Sequence, residues 1–466
     1  MRYRRAGMAG AALWLSAAAP DPGVEAAVRA ALAQAPAGTR FGLVVRDAAG
    51  IEQVAITPDD RFVPASNTKI FTTIAAFANL AVDGPDSART GVRIEGRDVV
   101  LVGAGDARLS SAEDCASDCL ATLADAVAAR TRSVGDVIGD DSAFPDQRWS
   151  PGMGWNNIVT RYGTGISALT LDDNELALTV GVVDGKAVVS GSDYYRIDNR
   201  LRVGATGAIG YDRMPGSDVL RVSGTVAKGA SERIRVGIDD PAHYAAWKLA
   251  KVLRARGVRV TGEVRVRHRP YVAAEDGGVV QRGVSPPMLT QTQPGPLIED
   301  VAVTNKASQN LHAELLLRRV GAVEGSGSIA DGLKKVSVIM SLAGVPRTAW
   351  DLSDGSGMST YNRVTPRAMV ALLGWAQAQP WGAAWLETLP VGGVDGTLAR
   401  RFRGTALAGK LRAKTGSLAG TSALAGTMTA ASGQTLTFAL YANDIPEGTS
   451  ATAAMDAALL AVAAGL

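Results

Sequence analysis

Histidine is nearly absent from this chain, with only His243, His268 and His312 among 466 residues. A Ser-His-Asp triad would have to recruit one of them, and none stands in a recognisable strand or loop context for that task. His312 follows Asn310 by two positions, so a helix starting near Ser308 turns it to the far side of the axis. His243 and His268 read as surface residues. Cysteine is scarcer still: Cys115 and Cys119 have no neighbouring histidine, so no metal is expected, and nothing in the sequence asks for a cofactor. The pair lies within 113–130, a stretch of helical patterning, where side chains four apart face each other and form at most a local disulfide staple after export.

Net charge is also small, 48 Lys and Arg against 45 Asp and Glu. With 5% aromatic residues and no basic cluster joined to an aromatic stripe, nucleic acid is not an expected partner, while mild basicity suits an anionic wall polymer. No run reaches the ~20 apolar residues needed to cross a bilayer, leaving at most peripheral membrane contact. The longest, residues 6–19, follows Arg2, Arg4 and Arg5 and ends in small residues at Ala17 and Ala19. That pattern predicts an export signal over 1–19, cleaved after Ala18 or Ala19, with Pro20 disfavouring the second, and no cysteine follows for lipidation. The expected location is the periplasm or cell envelope. At 466 residues and 47% hydrophobic content the rest can bury more than one core.

Three short segments carry the chemistry: Ser66-Asn67-Thr68-Lys69, Ser308-Gln309-Asn310, and Lys414-Thr415-Gly416 followed by Ser417. A serine hydroxyl needs a base to become a nucleophile at neutral pH, and a helix places Lys69 on the same face as Ser66. Phe62-Val63-Pro64-Ala65 reads as a turn before an apolar helix over 70–80, and the third segment ends a strand-like run before a glycine turn. A free lysine titrates near ~10.4, so a neutral Lys69 at pH ~7 requires roughly 4 to 5 kcal/mol of destabilisation of its charged form. Burial and the cation of Lys414 are the expected sources.

The order S-x-x-K, S-x-N, K-T-G resembles penicillin-binding proteins and serine β-lactamases. The flanking residues from Asn305 through Glu314, then Asp354-Gly355-Ser356-Gly357-Met358-Ser359 and Asn362-Arg363-Val364-Thr365-Pro366, are similar to the D-alanyl-D-alanine carboxypeptidase/endopeptidase family, peptidase family S13, from about Phe41 onward. The resemblance implies that Ser308 relays a proton to the leaving amine, that Asn310 holds Lys69 and the substrate amide, and that backbone N–H groups of Ser66 and Ser417 receive the oxyanion. It also implies that Lys414 and Thr415 bind the peptide's terminal carboxylate, with Gly416, Ser356, Met358 and Ser359 beside the substrate. The implied partners are peptidoglycan stem peptides, with β-lactam antibiotics as covalent inhibitors.

About half the chain separates Lys69 from Ser308, far more than in a β-lactamase, so the expected fold is α+β. A discontinuous penicillin-binding, transpeptidase-like domain over 20–84 and 294–466 would hold β-rich material at 85–293, read as two nested inserted domains. Strand patterns at 41–48, 53–56, 422–429 and 434–441 suggest one antiparallel sheet built from both ends of the chain, closed by a helix over 450–464. Further strands are expected at 92–102, 180–202, 219–226 and 258–266, with a helix at 241–256. Within the insertion, Gly139-Asp140-Asp141-Ser142-Ala143-Phe144, Trp155-Asn156-Asn157 and Tyr162-Gly163 resemble the family stretch that touches substrate. Relatives with a diaminopimelate pocket carry an aspartate near Asn157 and an arginine at the position of Thr360, and both are neutral here, predicting a relaxed or altered side-chain preference. The reading is an exported serine DD-peptidase cutting D-Ala-D-Ala and D-alanyl cross-links, with a β-lactamase or esterase on the same fold, or a non-catalytic wall-binding scaffold, as alternatives.

Overall fold

The computed structural model describes residues 22–280 and 286–466, so the expected export signal lies outside the described residues. A five-stranded antiparallel sheet runs in the order Leu411–Leu418, Thr421–Thr429, Thr435–Asn443, Arg40–Arg46, Glu52–Ile56. Successive side chains of a strand point to opposite faces, and here both faces are buried. Leu43, Val45, Leu424, Phe438 and Leu440 meet helices Pro22–Leu32 and Thr452–Gly465 on one side. Val44, Ala423, Ala425, Ala439 and Tyr441 meet helices Thr68–Asn79 and Pro366–Gln377 on the other. Helix Thr68–Asn79 is buried at every position from Thr68 to Phe77, and its buried Thr72 and Thr73 hydroxyls donate to backbone carbonyls, so that it sits enclosed by its neighbours.

The stretch between Lys69 and Ser308 folds around a separate cluster that includes Val92, Leu101, Leu123, Val180, Leu220 and Leu249. A mixed sheet takes the order Val264–Arg269, Val137–Pro145, Asp98–Val102, Gly91–Glu95, Thr290–Gln291, with helix Pro241–Ala255 packed against it. Two three-stranded sheets, Ala208–Asp212 with Val219–Ala227 and Arg196–Gly204, and Ser231–Gly237 with Glu175–Val183 and Lys186–Ser190, share its hydrophobic cluster.

Two expectations need correction. The helix expected at 113–130 begins only at Leu120, because Asp118 adopts a left-handed conformation (φ 54°) and its carbonyl accepts from the N–H of Ser110. Cys115 and Cys119 are bonded, with Cα atoms 5.8 Å apart, across this loop rather than along a helix. His243 and His268 are half-buried rather than superficial: His243 Nδ1 lies 3.1 Å from the Tyr194 hydroxyl, and His268 sits between Asp141 (2.9 Å) and Asp240 (3.2 Å). Their partners are distant in sequence, which hid the burial from local pattern.

Candidate active site

A 3-10 turn, Ala65–Asn67, delivers Ser66 to the entrance of helix Thr68–Asn79, with Ala65 held at φ 45°. The side chain of Asn67 donates to the Lys414 carbonyl (2.6 Å), fastening this turn to the edge strand that carries Lys-Thr-Gly. That strand approaches so closely that a Cβ on Gly416 would lie 2.6 Å from the Pro64 carbonyl and 3.1 Å from the Ser66 nitrogen. Any side chain at 416 would push strand and nucleophile apart. The loop Asp354–Ser359 closes the other side: Gly357, at φ 89°, would put a Cβ 2.0 Å from the Ala65 carbonyl.

Lys69 is fully buried. Its Nζ stands 3.1 Å from Ser66 Oγ, 2.6 Å from Asn310 Oδ1 and 2.6 Å from the Ser356 carbonyl. Burial pushes its pKa down to about 7, against the opposing pull of the Asp354 and Glu314 carboxylates. Lys414, equally buried, donates to Ser308 Oγ and to the Thr415 carbonyl, each at 2.9 Å. Its own pKa is pushed well down by burial and by the neighbouring Lys69. The expectation that Lys414 lowers Lys69 is thus modified, since desolvation is the leading cause for both amines.

A cavity of about 500 Å3 opens onto these groups, lined by Ser66, Asn157, Arg161, Tyr162, Ser308, Asn310, Met358, Thr397, Thr415 and Ser417 among others. Among the described residues Arg161 is the one charged side chain in that lining. A larger groove of about 730 Å3 beside Arg46 and Trp375 holds no nucleophile paired with a base.

Several expected contacts lie elsewhere. The Ser356 side chain is buried beside Asp354, and this residue reaches the site through its carbonyl on Lys69. Ser359 is fully buried, its hydroxyl donating to the Pro151 carbonyl (2.6 Å). Trp155 is 65% exposed and outside the lining. Lys414 is fully buried, so Thr415 and Ser417, and not its amine, are the residues of that segment that line the cavity. Gly139 to Phe144 runs within a strand whose Asp140 is engaged by Arg93 and Arg267, so it holds the insertion together instead of facing the cavity.

Other residues complete the site without having been singled out. Glu314, fully buried, accepts the N–H groups of Gly355 (3.0 Å) and Ser356 (2.9 Å), and so aims the Ser356 carbonyl at Lys69. Burial and the Asp354 carboxylate push its pKa up. Asp354 caps Gly357 and Ser359 and accepts from Asn362 (2.6 Å). Thr397 shares a 2.8 Å bond with Thr415. Glu314 falls four residues after Asn310 on one helix, a spacing that would have flagged it.

Comparison with known proteins follows the same lines. The family model "D-Ala-D-Ala carboxypeptidase 3 (S13) family" matches residues 24–464. A D-alanyl-D-alanine carboxypeptidase of Actinomadura sp. (strain R39) is 33% identical over 435 residues, covering 87% of this chain and 78% of that protein. The crystal structure of penicillin binding protein 4 (dacB) from Haemophilus influenzae superposes with a TM-score of 0.79 at 22% identity, covering 93% of this chain and 98% of that one. The same Haemophilus protein complexed with a β-lactam gives 0.73 at 21% identity, with the same coverage.

Proposed function

This chain belongs to the peptidase S13 family and is a D-Ala-D-Ala carboxypeptidase, and we propose that it works through an acyl-enzyme on Ser66 with Lys69 as the base. The observation that carries the proposal is the buried amine of Lys69, 3.1 Å from the Ser66 hydroxyl and depressed to about 7. Ser66 Oγ attacks the carbonyl carbon of the penultimate D-alanine while its proton passes to Lys69 Nζ. The resulting oxyanion is received by the backbone N–H groups of Ser66 and Ser417, donors worth ~3 to 4 kcal/mol each in such sites. Collapse breaks the C–N bond, and the departing D-alanine amine takes a proton relayed through Ser308, whose hydroxyl is held by Lys414. Water then hydrolyses the ester and restores Ser66.

The same reading makes β-lactams covalent ligands of Ser66, since their strained amide presents the same carbonyl to the same groups. A relative in β-lactam complex supports that extension. We assign the catalytic unit to 20–84 with 294–466 and the insertion to 85–293, supported by their separate hydrophobic clusters. Export, by the signal over 1–19, places the enzyme at the cell envelope, and among the described residues no helix is long and apolar enough to cross a membrane. Cross-link cleavage is a further activity of the same cavity. Asn157 lines the cavity beside Arg161, while the Thr360 hydroxyl donates to the Gly152 carbonyl outside it, which supports an altered stem-peptide preference. Comparing kcat/KM for meso-diaminopimelate and acetyl-lysine peptides tests this, and strong selectivity for the former overturns it.

The decisive experiment is intact-mass analysis after exposure to a fluorescent penicillin, with peptide mapping. One adduct on Ser66, absent from Ser66→Ala, is expected. A wild-type protein that never labels overturns the acyl-enzyme and favours a wall-binding scaffold.

A further inference from the structure

Asn310 fixes the lysine base, and two groups that hold Asn310 in place come from the inserted half of the chain. Its Nδ2 donates to the Tyr162 carbonyl (2.9 Å), while its Oδ1 accepts from Lys69 (2.6 Å). A carbonyl can only accept, so Tyr162 dictates which edge of the amide faces the lysine. Two residues along the same helix, the Nε2 of His312 meets Asp173 Oδ1 at 3.1 Å, while the Gln309 side chain caps the helix by accepting from the Leu311 N–H (3.4 Å). Gln309 and Asn310 are two of the three residues of the S-x-N motif, and the third, Ser308, is held at φ 58°.

Asp173 sits in an unusual turn. Asp172, Asp173 and Asn174 all adopt positive φ, 52°, 56° and 52°, a region that Asp and Asn tolerate better than other non-glycine residues. Such backbone persists where its surroundings over-determine it. Here the Asn174 carbonyl accepts from Thr164 Oγ1 (2.5 Å), and Asn174 Nδ2 donates to the Gly165 carbonyl (3.0 Å). Asp172 accepts from the N–H (2.7 Å) and hydroxyl (2.6 Å) of Ser111. Thr164 and Gly165 directly follow the turn Arg161–Gly163 that offers the Tyr162 carbonyl. The two gripping groups therefore belong to one stitched unit, which holds the start of helix Asn310–Ala322 at two points.

We propose that Asp173, together with the Tyr162 carbonyl, is a positioning residue for Asn310, so that the insertion is part of the machinery that sets the Lys69 base and not only a wall of the substrate cavity. The proposal rests on the acyl-enzyme reading above. Asp173 lines no part of the cavity that holds Ser66, and acts through His312 and the helix it shares with Asn310. The groups facing His312 and Asp173 are Asp300, itself paired with Arg108, together with Arg161, Glu175 and Arg235. Those facing Lys69 are Asp354, Glu314 and Lys414.

The test measures the rate of Ser66 labelling by a fluorescent penicillin across pH 5 to 9 in Asp173→Ala, Asp173→Asn and His312→Gln. Asp173→Ala is expected to label to completion but at least about tenfold more slowly, since small misplacements of catalytic groups cost this much or more. The acid limb of its rate profile should move to lower pH, because Asn310 Oδ1 stabilises the charged amine of Lys69 and its retreat favours the neutral form. Asp173→Asn, which keeps an oxygen acceptor, should lie nearer wild type. A wild-type rate and limb in Asp173→Ala overturns the inference, as does a loss of labelling that merely follows the unfolded fraction seen by circular dichroism. If Asp173→Ala does not fold, His312→Gln decides by the same criteria. Wild-type protein that fails to label overturns the acyl-enzyme reading instead, so the two failures are distinguishable.

Discussion

The amine of Lys69 stands 3.1 Å from the Ser66 hydroxyl while making two shorter bonds of 2.6 Å, to Asn310 Oδ1 and the Ser356 carbonyl. A neutral amine has two hydrogens and one lone pair. The two shorter contacts are to acceptors and take both hydrogens, which leaves the lone pair for the proton of Ser66. The protonated form turns its third hydrogen to Ser66 and cannot accept. With Lys69 depressed to about 7, the labelling rate should fall about tenfold per pH unit well below pH 7 and level off above it. Rates of penicillin labelling from pH 5 to 9 measure this, and a flat profile contradicts it.

Lys414 and Ser308 form a second pair, joined at 2.9 Å with the amine wholly buried. Groups that act as a unit lose function non-additively. Ser308→Ala and Lys414→Ala should each slow turnover of a D-Ala-D-Ala peptide by about 10² to 10⁴, the range of a proton-transfer contribution. The double variant should be scarcely worse than the poorer single one. Independent, multiplying losses in steady-state kinetics would separate the two roles.

Arg319 and Asp86 are paired in the interior, joining helix Asn310–Ala322 to the segment that follows helix Thr68–Asn79. Removing one partner leaves the other charge buried and alone, at a cost of roughly 3 to 5 kcal/mol. Arg319→Ala should lower the urea midpoint accordingly. A change within 1 kcal/mol, taken as roughly the span of exposed pairs, would show that water reaches Asp86.

His268 lies between Asp141 and Asp240, which raise its pKa from 6.5 to about 10. A raised pKa means that the folded form holds its proton more tightly than the unfolded one. This contribution to stability is complete below pH 6.5 and is lost as pH climbs to about 10. The melting-temperature gap between wild type and His268→Gln should be widest near pH 6 and close by pH 10, with labelling of Ser66 unchanged. A gap that does not vary with pH would mean that the imidazole contributes by packing alone.

Much of the catalytic unit was legible because its signals are local. Strand-like runs at 41–48 and 434–441 marked the strands Arg40–Arg46 and Thr435–Asn443 to within two residues, and residue type with spacing marked Ser66, Lys69, Asn310 and Lys414. What stayed hidden depends on partners remote in sequence. Ser356 and Ser359 were expected beside the substrate, yet their N–H groups are held by Glu314 and Asp354 and their side chains are buried. Nothing near Asp173 announces a role, because its left-handed turn matters only once Thr164 and His312 are beside it. The acidic run before Leu120 carried helical periodicity, and a single backbone reversal at Asp118 overrode it.

The strand Arg40–Arg46 lies between Glu52–Ile56 and Thr435–Asn443, one neighbour close by in the sequence and the other far along it. A nascent polypeptide therefore cannot finish the platform under its nucleophile until Thr435–Asn443 has been made. Such distant pairing slows assembly. It also means that a chain whose strand Thr435–Asn443 has not yet joined lacks the support beneath Ser66, so incomplete copies are expected to be inert.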